Sequence, residues 1–184
     1  MIDKLLEESG IMMNHSIEHL KQELGKLSTG RASLALLDGL KVDYYGTPTP
    51  LSQVATLGVP DSSTITIQPW ESSLLKAIEK AIQSSTLGLN PANDGNVIRL
   101  NIPLLTGERR EQIIKILKKY EEECKVAIRN VRREFNDKIK KLEKEKVPQD
   151  DCRKGQEKLQ KITDEHINLV SQIAQAKEAS IRET

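Results

Sequence analysis

The sequence predicts an α+β protein of two domains, a three-helix bundle and a smaller α+β domain inserted into it. Three long segments have apolar side chains at the three- and four-residue spacing of amphipathic helices. Between the first and second of them, short alternating runs are separated by prolines and glycines. Charged residues make up 30% of the chain and aromatic residues only 3%, a composition that favours long surface helices over a β-sandwich.

The first segment, residues 2–29, predicts an amphipathic helix that stops at Thr29-Gly30, where glycine can take the left-handed conformation that ends many helices. Its start is acidic, unlike a signal peptide, and no run in the chain approaches the ~20 apolar residues that span a bilayer. We therefore expect a cytoplasmic protein without membrane contact. The predicted apolar positions are Ile2, Leu6, Met13, Ile17, Leu20, Leu24 and Leu27.

Residues 31–103 predict a compact domain of short strands and one helix. Pro48 and Pro50 exclude both a helix and a central strand from residues 46–50. Ser72 or Ser73 can cap a helix that runs to about residue 85. Residues 90–95 are rich in turn-forming types. Strands are predicted at 40–44, 53–59, 64–68 and 97–102, the last burying Ile98, Leu100 and Ile102 or their neighbours.

Two more helices complete the predicted bundle. The longer runs from Gly107 to Lys146 behind the N-cap Thr106, and the other follows Pro148. The bundle thus comprises residues 1–30 and 104–184, and the inserted domain residues 31–103. The predicted apolar seams are Ile113, Ile116, Tyr120, Ala127, Val131, Phe135, Ile139 and Leu142 in the longer helix, and Leu159, Ile162, Leu169, Ile173 and Ala176 in the last.

The two chain crossings between these domains are candidate hinges. The residues alone do not decide between a hinge and a rigid elbow, because they do not show how much interface the domains share. The candidate hinge residues are Gly30, Arg31 and Ala32 at the first crossing and Pro103, Leu104 and Leu105 at the second.

A row of cations follows the longest helix, and we call it the basic stripe. Its members are Lys118, Lys125, Arg129, Arg132 and Arg133, which helical spacing places on or beside one face. The guanidinium fork of arginine suits phosphate better than an ammonium does, so the stripe predicts contact with nucleic acid, with structured RNA ahead of DNA. A solvated face stays open as the alternative, because acidic neighbours can neutralise these charges.

Other candidate chemistry is weaker. The run from His15 through Glu18 to His19 has the H-x-x-E-H order of inverted zinc peptidases, but a third ligand and a cleft are missing from the pattern. His166 is expected at the edge of the core. The only two cysteines, Cys124 and Cys152, form no disulfide framework and no zinc motif. We therefore expect no catalytic residue, no metal and no cofactor.

Several motifs, in order and along the whole chain, closely resemble those of the bacterial ribosome recycling factor family. Gly107 departs from the family, which more usually has an acidic residue there. The motifs are Gly30-Arg31-Ala32-Ser33, Leu36-Leu37-Asp38-Gly39, Tyr44-Tyr45-Gly46-Thr47-Pro48-Thr49-Pro50-Leu51, Ile67-Gln68-Pro69-Trp70, Leu87-Gly88-Leu89-Asn90-Pro91, Leu105-Thr106-Gly107-Glu108-Arg109-Arg110 and Arg129-Asn130-Val131-Arg132-Arg133.

This resemblance implies an L-shaped, monomeric protein in which an antiparallel three-helix bundle and an inserted β/α/β domain are joined by a flexible hinge. It implies binding to the ribosome after termination and, with elongation factor G and GTP hydrolysis, separation of the subunits with release of mRNA and tRNA. It also implies that Arg110, Arg129, Arg132 and Arg133 contact large-subunit ribosomal RNA, to which the stripe adds Lys118 and Lys125. A helical adaptor or chaperone for a protein partner is the competing hypothesis.

Overall fold

The computed structural model describes residues 1–145 and 147–183 of the chain. The described helices are α1 (Ile2–Gly25), α2 (Leu75–Gln83), α3 (Gly107–Lys144) and α4 (Gln149–Arg182). The strands are β1 (Lys41–Tyr44), β2 (Thr47–Pro50), β3 (Ala55–Asp61), β4 (Thr64–Pro69), β5 (Pro91–Asn93) and β6 (Ile98–Asn101). Short 3-10 turns cover Leu34–Leu37, Leu51–Gln53 and Ser72–Leu74.

The chain divides into two compact units. The helical unit contains Met1–Leu24 and Gln112–Ser180, and the sheet unit contains Gly25–Glu111 together with residues 181–183. The predicted domain boundaries at residues 30/31 and 103/104 stay a prediction. None of the described helices combines the length and the apolar content that are needed to cross a bilayer.

The long helices begin and end close to the predicted positions. Thr106 caps α3 as predicted, since its hydroxyl accepts a hydrogen bond from the Arg109 backbone N–H at 3.2 Å. The helix ends at Lys144, and the predicted end at Lys146 lies outside the described residues. The first helix ends at Gly25, four residues before the predicted end at 29. Glycine is a poor helix former and the following Ser28 bonds locally to the Gly30 N–H, at 3.3 Å, so the helix stops early.

The buried face of α3 differs from the predicted seam in its first half. Ile116 is 39% exposed, so its assignment to the core seam is wrong, and Tyr120 and Ala127 are only half-buried. The buried residues there are Ile114, Leu117, Cys124 and Ile128; Ile113 and the seam from Val131 to Leu142 are confirmed.

A polar residue explains this error. Glu121 lies in the true seam, four residues after Leu117 and three before Cys124, and interrupts its apolar series. Lys125 Nζ neutralises it at 2.7 Å, and the two side chains are only 18% and 22% exposed, respectively. The apolar spacing in the sequence therefore runs through the neighbouring Tyr120, although the side chain of Tyr120 is only half-buried.

The seam of α4 shows the same kind of error. Leu169 is 40% exposed and Ala176 is exposed, so both were wrongly assigned to the core, while Leu159 is buried as predicted and Ile162 and Ile173 are half-buried. Some buried residues of α4 are small or polar, and a search for apolar side chains does not find them. The complete set of buried residues in this helix is Cys152, Gly155, Leu159, Thr163, Val170, Ala174 and Ile181.

Gly155 marks a close approach of three helices in the helical unit. A Cβ built there would lie 2.7 Å from Ile2 Cγ2 and 3.7 Å from Ile139 Cδ1. Gly155→Ala should therefore lower the free energy of unfolding by about 1–2 kcal/mol, because overpacking costs about 1–3 kcal/mol and the better helix propensity of alanine returns roughly 0.5–1. Gly10→Ala in α1, where nothing lies within 4 Å of the added Cβ, should instead be stabilising. Urea denaturation of both variants measures the two changes in the free energy of unfolding, which should have opposite signs. If both variants were more stable than the parent, the close approach at Gly155 would be contradicted.

The sheet unit is built on a four-stranded antiparallel sheet in the order β3-β4-β6-β5, beside the hairpin β1-β2. Helix α2 packs against β1 and β5. Ile98, Leu100 and Ile102 are all buried, as predicted. Pro48 and Pro50 lie in β2, which pairs with β1 in a two-stranded hairpin. An edge strand tolerates a missing N–H, so this position agrees with the prediction that these prolines exclude a central strand.

Two local expectations in this unit are wrong, and one predicted strand begins later than expected. Neither Ser72 nor Ser73 caps α2: these serines lie in a 3-10 turn, and the helix begins after Leu74 with no side-chain cap. The predicted strand at 53–59 begins only at Ala55, because residues 51–53 form another turn. Residues 91–93, expected as turn, form the short edge strand β5.

Candidate nucleic-acid interface

The basic stripe runs along α3, and one of its members, Arg132, contacts α4. At 3.6 residues per turn its five cations span an arc of roughly 100° and a length of roughly 22 Å. Their surroundings differ greatly, because some are bound by neighbouring side chains and others reach solvent. This difference ranks them as candidate ligands for phosphate.

Lys125 is the cation least available to a partner. Its ammonium is held at 2.7 Å by Glu121, and the lysine side chain is only 18% exposed. Removing one member of a half-buried pair leaves the other without its partner in a poorly hydrated position. We therefore interpret Lys125 as a residue that neutralises the polar seam position and only secondarily as part of an external surface.

Arg129 makes a weaker, exposed ion pair. Its Nη1 lies 3.0 Å from Glu122 Oε1, with the two side chains 42% and 62% exposed. An exposed pair of this kind contributes about 0–1 kcal/mol, so a phosphate can replace the carboxylate at little cost.

Arg132 is positioned by a short chain of hydrogen bonds from α4. Its Nη1 donates to Gln160 Oε1 at 3.3 Å, and Gln160 Nε2 donates in turn to Asp164 Oδ1 at 2.8 Å. Because a carboxylate only accepts, Asp164 fixes which end of the Gln160 amide points at the arginine. Spacing within α3 gives no signal for Gln160 or Asp164, which belong to a different helix, and sequence reasoning missed both.

The remaining predicted cations are less constrained. Lys118 and Arg133 are exposed, and within residues 1–145 and 147–183 neither makes an ion pair. Arg110 lies in the sheet unit and is half-buried, and its Nε is buried without a hydrogen-bond partner in the described part of the chain. Arg110 is thus separate from the stripe, both in sequence and in the compact unit to which it belongs.

All six candidate hinge residues lie in the sheet unit. Gly30 has φ +78°, and a Cβ there would lie 3.4 Å from Leu105 Cγ, so the two predicted crossings run side by side at this point. The Ala32 N–H donates to the Ser62 carbonyl at 2.7 Å, while Leu104 is 81% exposed. Arg31 and Pro103 are exposed. Their role as a hinge stays a prediction.

The H-x-x-E-H motif lies at exposed positions of α1, beside α3. His15, Glu18 and His19 are exposed, and Glu18 pairs with Lys21 at 2.9 Å. No group of three or more His, Cys, Asp or Glu side chains in the described residues is arranged to hold a metal. The two histidines line a cavity of about 500 Å³ between α1 and α3, together with Tyr120 and Cys124.

Two other polar side chains in the helical unit have structural surroundings. Burial raises the pKa of Cys124 to about 11, so it is a protonated thiol at neutral pH and a poor nucleophile. His166 is half-buried at the edge of the core, as predicted. One ring nitrogen lies 2.7 Å from the Ile162 carbonyl and the other 3.1 Å from Asn14 Oδ1.

Comparison with known proteins gives one consistent result. The family model described as ribosome recycling factor matches residues 20–181. The ribosome-recycling factor of Nitratidesulfovibrio vulgaris (strain DP4) is 54% identical over 181 residues, covering 98% of this chain and 97% of the relative. That of Dehalococcoides mccartyi (strain CBDB1) is 50% identical over 184 residues, with both chains covered completely.

Solved structures agree with this result. A solution structure of the ribosome recycling factor superposes with a TM-score of 0.82 at 40% identity, covering 100% of this chain and 98% of the other. A second match has a TM-score of 0.67 at 47% identity and covers 98% of each chain. It belongs to models of the T. thermophilus ribosome recycling factor and the E. coli elongation factor G bound to the E. coli post-termination complex.

Proposed function

The chain belongs to the ribosome recycling factor family, and from this premise we propose that it binds the post-termination ribosome and, with elongation factor G and GTP hydrolysis, separates the subunits. The mRNA and tRNA are released for a new round of translation. The protein acts in the cytoplasm as a monomer and has no catalytic site or cofactor of its own. A helical adaptor or chaperone is not favoured, because the family match covers most of the chain.

The observation that supports this function best is the half-exposed arginine face of α3. Arg129 pairs with Glu122 on the same helix and Arg132 bonds to Gln160 on α4, and each of these exposed partners is one that a phosphate can displace. Such contacts position a protein on RNA without reading its sequence. Arg133 and Lys118 extend the same face toward solvent.

We propose a ranking of the predicted contacts to large-subunit ribosomal RNA. Arg129, Arg132 and Arg133 contribute most, Lys118 contributes less because ammonium forms no bidentate fork, and Lys125 least because Glu121 holds it. Arg110, which lies in the sheet unit, forms a contact separate from the stripe. The segments 30–32 and 103–105 act as the hinge between the bundle, residues 1–30 and 104–184, and the inserted domain, residues 31–103.

The direct test is the breakdown of polysomes by the purified protein, with and without elongation factor G and GTP. The proposed function requires conversion of polysomes to monosomes and subunits that depends on all three components. Polysomes that stay intact with every component present would refute the proposal. An adaptor without recycling activity would give that negative result.

Binding to the large subunit should weaken steeply with salt. With three phosphate contacts the logarithm of the association constant falls with a slope of about −2 to −3 against the logarithm of salt concentration, which is a loss of roughly 16- to 64-fold between 50 and 200 mM. Co-sedimentation at constant Mg²⁺ measures the slope. Removing one true contact, as in Arg129→Gln, should reduce its magnitude by about one unit, whereas a slope near zero in the parent would contradict phosphate contacts.

A further inference from the structure

The cavity between α1 and α3 lies entirely within the helical unit. Its volume of about 500 Å³ is in the range of pockets that bind small molecules, roughly 300–1,000 Å³. Among its described lining residues there is no member of the basic stripe. The cavity is therefore separate from the surface that is proposed to contact ribosomal RNA, and its lining decides which ligand it would accept.

The inner part of the cavity is apolar and uncharged. Leu20 is 2% exposed and Cys124 is 7% exposed, and Ala127 also lines the cavity. The Cys124 thiol donates to the Ser16 carbonyl at 3.4 Å, so the two helices are in direct contact at this depth. Burial raises the pKa of Cys124 to about 11, and the thiol adds no charge. An aliphatic chain can lie against these side chains and lose no hydrogen bonds to water, because it makes none.

The polar side chains of the lining are hydrogen-bond acceptors. Two of them are the carboxylates Glu23 and Glu123, one from each helix. A neutral imidazole, as at His15 and His19, accepts at one nitrogen, and the phenol oxygen of Tyr120 also accepts. None of the described lining residues is a lysine or an arginine. A phosphate would meet like charge here, whereas an ammonium group, which only donates, would meet acceptors on both helices.

Several of these acceptors are available to a ligand. Within residues 1–145 and 147–183 the side chains of His15, His19 and Tyr120 make no hydrogen bond. Glu123 pairs with Lys119 at 3.8 Å, and both side chains are largely exposed. Such a pair contributes about 0–1 kcal/mol, so another ammonium can replace Lys119 at little cost. The half-buried ring of Tyr120 adds a face on which a cation is stabilised.

The two carboxylates lie at different levels along the cavity. Helices α1 and α3 run antiparallel, since α1 begins beside the C-terminal half of α3 and reaches Cys124 at Ser16. Glu23 is seven residues beyond Ser16, while Glu123 directly precedes Cys124. At a rise of 1.5 Å per residue, the two positions are separated by roughly 9 Å along the helix axes. A ligand that meets both carboxylates therefore needs two cationic ends joined by an extended chain.

We propose that this cavity binds an aliphatic polyamine, whose terminal ammonium groups pair with Glu23 and Glu123. The methylene groups between them lie over Leu20 and Ala127. A triamine such as spermidine matches the separation of the carboxylates better than a shorter diamine such as putrescine does. This inference goes beyond the proposed function and does not depend on it, because the ligand binds the free protein.

The test is isothermal titration of the full chain with spermidine and with putrescine, at about 0.15 M salt, where exposed charges are screened. The first variant combines Glu23→Gln with Glu123→Gln, which removes both charges and keeps the side-chain shapes. Its control combines Glu7→Gln with Glu134→Gln, which removes two exposed charges from the same helices outside the cavity. A third variant, Ala127→Leu, fills the cavity without a change of charge. The thermal unfolding midpoint of each variant reports whether it is folded.

We expect the parent to bind one spermidine per chain, and to bind it more tightly than putrescine. The affinity should fall at least about tenfold in the Glu23 and Glu123 variant, since a lost charge-assisted hydrogen bond costs roughly 1.5–3 kcal/mol and each 1.4 kcal/mol is tenfold. Ala127→Leu should also weaken binding, and the control should stay within about twofold of the parent.

Four results would overturn the inference. They are a parent that does not bind spermidine, an equal loss of affinity in the control, equal affinities for the two amines, and unchanged affinity in a folded Ala127→Leu variant. An equal loss in the control would mean that net charge alone attracts the amine. Unchanged affinity in Ala127→Leu would place the amine outside the cavity. Since no ribosome is present in this experiment, its result and that of the polysome assay are independent.

Discussion

Arg132→Glu is expected to weaken binding to the large ribosomal subunit by about 100-fold or more. The loss of a charge-assisted hydrogen bond costs roughly 1.5–3 kcal/mol, each 1.4 kcal/mol is tenfold in affinity, and repulsion of the new carboxylate by phosphate adds to this. The free energy of unfolding should change by less than about 1 kcal/mol, because the hydrogen bond that Arg132 makes within the described residues is the exposed one to Gln160, at 3.3 Å. Co-sedimentation with purified large subunits and urea denaturation measure the two quantities.

The matched control is Lys119→Glu. Lys119 is on the same helix and undergoes the same change of charge, but it lies outside the basic stripe and its side chain is 71% exposed. We expect its affinity to stay within a few-fold of the parental value. An equal loss in both variants would mean that net charge, and not the position of Arg132, governs binding, and normal co-sedimentation of Arg132→Glu would refute the assignment of the stripe.

Leu117→Ala should destabilise the helical unit by about 2–5 kcal/mol, whereas Ile116→Ala should cost less than about 1 kcal/mol. Leu117 is completely buried, so its truncation leaves a cavity, while Ile116 is 39% exposed. Alanine also has the higher helix propensity at the exposed position. The measurement is urea denaturation followed by far-ultraviolet circular dichroism, a signal in which α1, α3 and α4 predominate.

This pair of variants tests which residue of α3 lies in the core, the one that the sequence pattern predicts or the one that the structure buries. The apolar spacing of α3 favours Ile116 as the core residue, and the structure favours Leu117. A larger loss for Ile116→Ala than for Leu117→Ala would show that the helix is rotated from its position in the structure. Equal small losses would show that the first half of α3 is loosely packed.

The existence of the three long helices could be predicted because each repeats its pattern over many turns. Local chemistry was also sufficient at Thr106, where a cap residue precedes the first turn. The rotation of α3 could not be predicted, because the side chain that identifies it is Glu121, and its neutralisation by Lys125 becomes visible only with coordinates. A periodicity analysis follows only apolar residues, so a charged residue in the buried seam moves the predicted seam to the neighbouring position.

Shorter elements were less predictable for a different reason. The strand β5 has three residues and begins with Pro91, so its composition is that of a turn, and only pairing with β6 makes it a strand. In the candidate interface, the cations of α3 could be found from their spacing, but the restraint on Arg132 depends on Gln160. A contact between residues that are 28 positions apart leaves no periodic trace in either helix.

The helical unit is formed by two separate segments of the chain, and this affects how the protein folds during its synthesis. During synthesis α1 emerges first, yet the helices that cover its apolar side, α3 and α4, are translated only after all six strands and α2. Met13, Ile17 and Leu20, almost fully buried in the finished molecule, therefore stay uncovered on the nascent chain while the central residues fold. The sheet unit can begin to fold as it leaves the ribosome, but the bundle assembles only when translation of this chain is nearly complete.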